Sequence, residues 1–295
     1  MSMSGVRTML TRVLTSNRKR LSPLEQALRE KTRWSAKAPA PILRPRTYRG
    51  RDFMLAGRAF DLWLRGYLGV KYHVTEGTTV NEMVLQDPSW WPYLDEATVT
   101  YDDGRVISMR SGLASTVQVR RDAIRRGQID SEDFFENCID NAMAERLYRS
   151  GDMTNASSHP DPMIADLRAL AGAAMARHAL FAGTEVNLNP AFPHPTIAAD
   201  GDFAIDACLV DIKTTKELIP PLAFTQVASY ALLEAWCRGC HVECLRYHRA
   251  AIYSARYAAL GVVDLRHVSG VLAPLRAFLE EAAERHEAQQ SSATA

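Results

Sequence analysis

Residues 200–215 read DGDFAIDACLVDIKTT, and this stretch decides the fold. Asp200 and Asp202 are two positions apart, as are Asp211 and Lys213, and the opposite positions hold the apolar residues Phe203, Ile205, Val210 and Ile212. Alternation with a period of two is typical of β-strands, in which side chains two positions apart share one face. The stretch therefore predicts two antiparallel strands, and Asp206 can serve the turn between them through its side chain.

Acidic side chains and a lysine share one face of this predicted hairpin. A turn at positions 206–207 places Asp202 opposite Asp211, and Asp200 opposite Lys213. Directly opposed Cβ atoms lie about 4.5–5.5 Å apart, so two carboxylates repel each other unless a cation lies between them. Hard cations such as Mg²⁺ prefer oxygen ligands, and a neighbouring lysine can assist a water or stabilise charge on a phosphate. A metal site is one interpretation, and a solvent-exposed polar strand face is the other.

A helix is predicted over about 222–237. Gln226 and Tyr230 lie on one face of it because they are four residues apart, and the opposite face is apolar. If this helix packs beside the hairpin, both side chains could be aimed at a substrate of the metal site. The alternative is a helix with one polar face and a tyrosine in the core.

The order of these motifs resembles the RecB-like branch of the PD-(D/E)XK nuclease superfamily. Gly201-Asp202, followed by an apolar strand, matches the first metal-binding aspartate of that family. Asp211-Ile-Lys213, followed by two threonines, matches the (D/E)XK element, and Gln226-x-x-x-Tyr230 matches the helix motif of the RecB-like branch. The resemblance is strong over residues 183–265.

An upstream segment matches the family more weakly, over residues 53–69. There Gly57-Arg-Ala-Phe-Asp61 resembles a Gly-x-x-x-His helix, with aspartate where the RecB-like branch usually has histidine. That aspartate is then either a substitute oxygen ligand or part of a purely structural helix. Glu185 stands where the family often has an extra acid. Asp200 is an additional acid, and Asp202 is favoured over it because an apolar strand follows Asp202.

The resemblance implies an α/β fold with a restriction-endonuclease-like core, in which a small mixed sheet is flanked by helices, and with a large helical insertion. It implies a nuclease that uses Mg²⁺ or Mn²⁺ and leaves a 5′-phosphate and a 3′-hydroxyl, with DNA favoured over RNA on family grounds alone. Lys213 would assist the attacking water, and Gln226 and Tyr230 would position the strand that is cut. The implied metal ligands are Asp202, Asp211 and the Ile212 carbonyl, with Glu185 or Asp61 as a further ligand.

Positive charge is concentrated in the first 51 residues, although the net charge of the whole chain is only +1. This segment contains 13 Lys or Arg residues and only two acids, Glu25 and Glu30. Clustered cations predict contact with a polyanion, most simply nucleic acid. The alternatives are a solvated tail and a helix near 23–34 that packs onto the body. The predicted nucleic-acid contacts are Arg18, Lys19, Arg20, Arg44, Arg46, Arg49 and Arg51.

Periodicity and breaks at Pro and Gly divide the chain into segments. The predicted segments are a basic arm and linker (1–50), a nuclease domain (51–288) and a disordered tail (289–295). Within the domain we predict a helical insertion over about 80–180 and a catalytic core over about 183–265. In the arm, residues 1–21 are expected to be loosely structured, and Ser22-Pro23 is expected to begin a helix that ends near Trp34.

No run of about 18 apolar residues is present, so neither a membrane helix nor a membrane partner is expected. The five cysteines are too few for a disulfide framework, and we expect a cytoplasmic protein. Some RecB-like nucleases hold an iron–sulfur cluster through one upstream and three downstream cysteines, but the spacing here departs from theirs. We expect free thiols, rather than a cluster or zinc, at Cys138, Cys237, Cys240 and Cys244.

Two other functional classes stay open at this point. One is a catalytically silent protein that keeps the nuclease fold and binds nucleic acid or acts as a scaffold; an intact Asp–Asp–Lys set argues against it. The other is a subunit that is active only in a complex, because the helical insertion offers a surface for a protein partner or a second copy. No residue argues for a particular pathway such as phage defence, recombination or repair.

Overall fold

The protein has a mixed α/β fold, and the computed structural model describes residues 8–36, 40–43, 52–76, 78–100, 104–150 and 161–294. Its helices are α1 (Leu10–Ser16), α2 (Arg18–Glu30), α3 (Asp52–Tyr72), α4 (Val80–Gln86), α5 (Trp91–Glu96), α6 (Met109–Arg126), α7 (Glu132–Ser150), α8 (Asp161–Ala176), α9 (Ala223–Cys237) and α10 (Ser269–Thr294). Its strands are β1 (Thr8–Met9), β2 (Arg33–Trp34), β3 (Thr98–Thr100), β4 (Val106–Ser108), β5 (Val186–Leu188), β6 (Ala191–Pro193), β7 (Ile197–Asp200), β8 (Phe203–Ile205), β9 (Cys208–Lys213), β10 (Arg249–Ser254) and β11 (Ala259–Asp264). Within the described residues, no helix combines the length and the apolar character needed to cross a membrane.

The chain divides into two compact units. The sheet unit comprises the described residues of Met1–Ile42 and Arg177–Ala295, and the helical unit comprises those of Leu43–Ala176. Two features depart from the predicted segments. Helices α1 and α2 belong to the sheet unit instead of forming a separate arm, and α3 belongs to the helical unit, which therefore begins well before position 80.

A mixed six-stranded sheet forms the centre of the sheet unit, with the strand order β2-β11-β10-β9-β8-β5. Strands β9 and β10 are parallel, and every other neighbouring pair is antiparallel. The predicted hairpin is confirmed, because β8 and β9 pair with Phe203 opposite Val210 and Ile205 opposite Cys208. The chain turns at Asp206, whose φ of 51° is in the left-handed region that such a turn requires.

The first strand of the predicted hairpin does not include Asp200, because it is interrupted at Gly201 and begins only at Phe203. Strand β7 ends at Asp200 and pairs with β6 in a second sheet of order β1-β7-β6, with Asp200 opposite Ala191. The Gly201 amide donates to the Pro190 carbonyl at 2.9 Å, and a Cβ at position 201 would lie only 3.2 Å from the Pro190 ring. This close crossing of two backbone segments moves Asp200 out of the β8–β9 register, so Asp200 does not face Lys213 as predicted.

The N-terminal helices are part of the hydrophobic core of the sheet unit. The core includes Leu10, Leu14, Leu21 and Leu28 from α1 and α2, together with residues of α9, α10 and one face of the six-stranded sheet. The expectation of a loose segment is therefore wrong for residues 8–21, and residues 1–7 lie outside the described residues. Helix α2 begins at Arg18, because burial of leucines in both helices outweighs the local signals at Ser22 and Pro23. The Ser22 hydroxyl donates to the Arg18 carbonyl at 2.8 Å, so Ser22 lies inside the helix and does not cap it.

The helical unit is built around α3, which packs against α7 and α8. A buried group of ion pairs joins its helices: the fully buried Arg65 pairs with Asp61 at 2.8 Å and with Glu76 at 2.9 Å. Arg58 pairs with Asp61 and with Glu145. Strands β3 and β4 of this unit pair antiparallel, with Thr100 opposite Val106.

The C-terminal helix α10 continues through the region predicted to be a disordered tail. It extends from Ser269 to Thr294, with Pro274 in its first turns. Its apolar face, including Leu272, Leu275 and Phe278, lies in the same core as α2 and α9. Because α10 is anchored in the core along its first half, it can continue as a polar helix through residues 289–294, where the sequence analysis predicted a disordered tail.

Replacing a core leucine of α2 tests whether this helix is part of the sheet unit in solution. Leu28 is fully buried, so we expect Leu28→Ala to lower the free energy of unfolding by about 2–5 kcal/mol. Glu30→Ala on the exposed side of the same helix should change it by less than about 0.5 kcal/mol. Urea denaturation followed by circular dichroism measures both. Equal, small effects would mean that α2 is an independent arm.

Candidate functional site

Asp202 lies immediately before β8, at the open end of the hairpin. Its carboxylate accepts a hydrogen bond from the Ile212 amide at 2.6 Å, and its carbonyl accepts one from the Asn189 amide at 3.0 Å. These two contacts hold Asp202 between β5 and β9. The amide and carbonyl of one strand residue point to the same side of the strand. The Ile212 carbonyl, predicted as a ligand, therefore also faces the side on which Asp202 lies.

Asp211 and Lys213 lie on one face of β9, as predicted, and they form an ion pair. Lys213 Nζ lies 2.6 Å from Asp211 Oδ2, and Asp211 is only 4% exposed. Lys213 Nζ also donates to Gln226 Oε1 at 3.3 Å. Burial of an ion pair is costly unless further hydrogen bonds accompany it. Gln226 supplies such a bond, so the strand and helix α9 are joined at the charged groups.

The hydrogen-bond directions along this chain follow from the chemistry of its members. Lysine can only donate, so the Gln226 oxygen must face Lys213 and the Gln226 amide nitrogen must face Tyr230. Gln226 Nε2 lies 2.6 Å from Tyr230 Oη, and the tyrosine oxygen accepts this bond. The hydroxyl proton of Tyr230 is then left to be donated elsewhere. The chain Asp211–Lys213–Gln226–Tyr230 thus ends in a phenol that can donate a hydrogen bond.

Tyr230 is held as a neutral phenol. Burial raises the pKa of Tyr230 well above its usual range, and the negative charges of Asp211 and Asp202 raise it further. Its ring is stacked on that of Phe192 from β6, with centroids 5.3 Å apart and an interplanar angle of 14°.

The site fits a divalent cation by its donor chemistry. Two carboxylates and one strand carbonyl are oxygen donors, and Mg²⁺ is commonly held by one or two carboxylates together with waters and substrate phosphates. Lys213 already contacts one oxygen of Asp211, so a cation would share that carboxylate with the ammonium group. Among the described residues, no group of three or more His, Cys, Asp or Glu side chains is arranged to hold a metal ion.

Glu185 is not brought to this carboxylate pair. Val186 is opposite Ile205, so Glu185 lies beside the turn at Asp206, and its side chain is exposed. Four strand positions separate this turn from Asp202, or roughly 13 Å at 3.3 Å per residue.

The amide of Glu185 donates to the Asp206 carboxylate at 3.0 Å. Thr184 donates to it as well, through both its amide and its hydroxyl. The hydrogen bond from Glu185 is the largest cause that lowers the pKa of Asp206. The Asp206 side chain thus binds residues 184 and 185, a structural role different from the predicted one within the turn.

Asp61 lies in the helical unit, where arginines surround its carboxylate. It is 4% exposed and forms ion pairs with Arg58 and Arg65. Two guanidinium groups already balance its charge, and a metal ion would have to displace them. Its surroundings thus favour the purely structural helix that the sequence analysis left open.

The cysteines are divided between the two units. Cys138 is buried in the helical unit, where burial raises the pKa of its thiol to about 12. In the sheet unit Cys240 accepts a hydrogen bond from Arg238 at 3.5 Å, and Cys237 and Cys244 are exposed. None of the five cysteines forms a disulfide in the structure.

The predicted basic contacts have different environments. Arg18 and Lys19 are exposed at the start of α2. Arg20 pairs with Glu281 at 2.7 Å and lies over the ring of Phe278, so part of its charge is used within the sheet unit. The other predicted contacts, Arg44, Arg46, Arg49 and Arg51, lie outside the described residues.

Sequence reasoning missed two residues beside the site. Phe192, which stacks on Tyr230, lies on β6, outside the motifs on which the sequence analysis rests. Ser254 is fully buried and is the strand partner of Lys213 in the parallel β9–β10 pair. The only local signal for Ser254 is a polar residue at the end of an apolar run. Its position beside Lys213 depends on a parallel pairing that the local sequence does not reveal.

Comparisons of the chain with models of protein families, with curated proteins and with solved structures return no significant match. The geometry of the site therefore carries the functional argument.

The raised pKa of Tyr230 predicts a specific response to alkaline pH. An unfolded tyrosine ionises near pH 10. The contribution of the neutral phenol to stability is therefore complete below about pH 10 and is lost as the pH rises toward the folded-state pKa. We expect the free energy of unfolding of the wild type to fall relative to that of Tyr230→Phe above pH 10, by at most about 1.4 kcal/mol per pH unit. Urea denaturation between pH 8 and 11 measures the difference, with the exposed Tyr93→Phe as the control for loss of a hydroxyl. If the free energies of unfolding of wild type and Tyr230→Phe change with pH in the same way, a raised pKa of Tyr230 is contradicted.

Proposed function

We propose that the protein is a metal-dependent nuclease that hydrolyses phosphodiester bonds, most simply those of DNA. The observation that carries this proposal is the chain of contacts from Asp211 through Lys213 and Gln226 to Tyr230, beside the carboxylate of Asp202. Sequence positions predicted from the family motifs to share a site are joined by direct contacts. If the short motifs matched the family only by chance, their side chains would not be expected to contact one another.

The strand topology supports the same proposal. Strands β5, β8 and β9 form an antiparallel series, α9 crosses over the sheet, and β10 returns parallel to β9. The two motif carboxylates are at the end of the hairpin, and the Q-x-x-x-Y helix is the crossover itself. This arrangement is compatible with the restriction-endonuclease-like core that the sequence resemblance implies.

Burial weighs against the alternative of a solvated polar strand face. Asp211 is 4% exposed and Tyr230 is 6% exposed, whereas a surface pair would be open to water. Burial of the Asp211 carboxylate beside a partly buried lysine costs stability that an apolar core would not require. A site that uses these charges to hold a cation and a phosphate accounts for this arrangement.

Each residue has a chemical task in the proposed reaction. Asp202, Asp211 and the Ile212 carbonyl would hold Mg²⁺ or Mn²⁺, which when bound would polarise the scissile phosphate and lower the pKa of a coordinated water. Lys213 lies at the carboxylate pair, where its ammonium group can orient the attacking water and stabilise charge on the phosphate. Tyr230 donates from its neutral hydroxyl, and Gln226 fixes the positions of both Lys213 and Tyr230.

Nucleic-acid binding is proposed to involve the exposed start of α2. Arg18 and Lys19 are adjacent cations there, in a segment whose few acids are occupied by other contacts: Glu25 is buried, and Glu30 accepts a hydrogen bond from Gln26 at 3.0 Å. Cations in the first turn are disfavoured by the helix dipole. Contact with a phosphate backbone would offset this cost.

Cleavage assays test the proposal. We expect wild-type protein with Mg²⁺ or Mn²⁺ to cleave nucleic acid, and EDTA, Asp202→Asn or Asp211→Asn to abolish cleavage. Lys213→Ala should lower kcat by about 10²-fold or more with little loss of binding, because its task is in the transition state. The substrates are end-labelled linear and circular DNA, single- and double-stranded, with RNA for comparison, and the products are tested for a 5′-phosphate.

Matched variants separate the site from general effects of charge. Glu284→Gln removes an exposed acid of α10, and Lys216→Ala removes an exposed lysine near Lys213. Both should retain wild-type rates. Cleavage that persists in Asp211→Asn would refute the site. Binding without cleavage in every metal condition would favour the catalytically silent protein.

The role of α2 in binding is tested by the salt dependence of affinity. We expect Arg18→Ala combined with Lys19→Ala to weaken DNA binding and to reduce the slope of log affinity against log salt by about 2, since two phosphate contacts are lost. Arg266→Ala is the control, because Arg266 is exposed but pairs with Asp264 at 2.6 Å. Fluorescence anisotropy at several salt concentrations gives the slopes. Identical slopes for wild type and the double variant would place the DNA elsewhere.

A further inference from the structure

Helix α9 begins without a cap from its own sequence. The residue before it, Leu222, has a φ of 63° and an apolar side chain that cannot accept a hydrogen bond. The first amides of a helix have no partner within the helix and need acceptors from outside. In most helices a Ser, Thr, Asp or Asn at the preceding position supplies one. In α9, which carries Gln226 and Tyr230, an acceptor from another element is needed.

Glu25 of α2 supplies that acceptor from a different part of the chain. Its Oε2 accepts hydrogen bonds from the Thr225 amide at 2.8 Å and from the Thr225 hydroxyl at 2.9 Å. Thr225 is fully buried and Glu25 is 5% exposed. A carboxylate at the N-terminus of a helix is also favoured by the helix dipole. Glu25 therefore caps α9 in place of a local residue.

Arg29, one turn further along α2, completes this contact. Its Nε donates to Glu25 Oε1 at 2.8 Å. Its Nη2 donates to the carbonyls of Ile219 at 3.2 Å and Pro220 at 2.8 Å. These carbonyls belong to the segment that joins β9 to α9. Through two side chains, α2 thus holds both the first turn of α9 and the chain that leads into it.

We propose that Glu25 is a positioning residue for the candidate site, acting through Thr225 on Gln226. Thr225 directly precedes Gln226, whose side chain contacts Lys213 at 3.3 Å and Tyr230 at 2.6 Å. A small movement of the first turn of α9 would change both contacts, and misplacement of about 1 Å can cost as much as 10²-fold in rate. The catalytic consequence rests on the proposed nuclease function, whereas the positioning of α9 does not.

The test uses the full-length protein and two matched pairs of variants. Glu25→Gln keeps the size of the side chain and one acceptor but removes the charge, and Glu30→Gln makes the same change on the exposed face of α2. Thr225→Val removes the hydroxyl donor, and Thr225→Ser keeps it. We expect Glu25→Gln and Thr225→Val to lower kcat by about tenfold with little change in KM for DNA. Glu30→Gln and Thr225→Ser should behave as wild type. Rates are measured well below the Tm of each variant.

Hydrogen exchange of the first turn of α9 provides a readout that does not depend on activity. Peptides that cover residues 222–230 should exchange faster in Glu25→Gln than in Glu30→Gln, because the cap that protects the Thr225 amide is weakened. Unchanged exchange in Glu25→Gln would overturn the positioning role, even if the Tm of this variant is lower than that of the wild type. If the wild type cleaves no nucleic acid in any metal condition, the proposed function fails, and the exchange data still decide whether Glu25 positions α9.

Discussion

The ion pair between the buried Asp211 and the partly buried Lys213 is the constraint on which the rest of the sheet unit depends. An ion pair on a central strand must be covered, and its remaining hydrogen-bonding capacity must be met within the fold. Helix α9 does both, because it is apolar on most faces but presents Gln226 at the lysine. The helix must then be held in one position, and α2 holds it at its first turn. A charged pair on one strand thus determines the chemistry of one helix and the placement of a second.

The sequence predicts most of this site where its signals are local. The alternation in residues 200–215 predicts the β8–β9 hairpin and its turn, and the four-residue spacing of Gln226 and Tyr230 predicts that they share a face of α9. Local sequence patterns do not predict the roles of residues whose contacts are set by distant parts of the chain. The break at Gly201 follows from a crossing with Pro190, and the neighbour of Lys213 on β10 follows from a parallel pairing. The role of Glu25 depends on Thr225, 200 positions away in the chain.

The N-terminal segment illustrates how composition can mislead. Its many cations predict an arm that contacts a polyanion, but its leucines at 10, 14, 21 and 28 are buried in the core. Charge and burial coexist because α2 is amphipathic: leucines and Glu25 face inward, and Arg18 and Lys19 face outward. The helical unit resolves a similar conflict differently. There, arginines and carboxylates are buried together, and Asp61, which a motif would assign to a metal, is paired with two arginines.

The sheet unit is assembled from two segments of the chain that flank the helical unit in sequence. During synthesis, α2 leaves the ribosome long before α9 exists, because nearly two hundred residues separate Glu30 from Ala223. At 5–20 residues per second, α2 must wait roughly 10–40 s for the helix that it caps. Throughout that interval its leucines have no core to enter, while the intervening helices of residues 43–176 can already fold. The nascent chain thus carries α2, with four cations and two acids, without its partner helix until α9 has been made. The contacts between Glu25 and Thr225 can form only after that point.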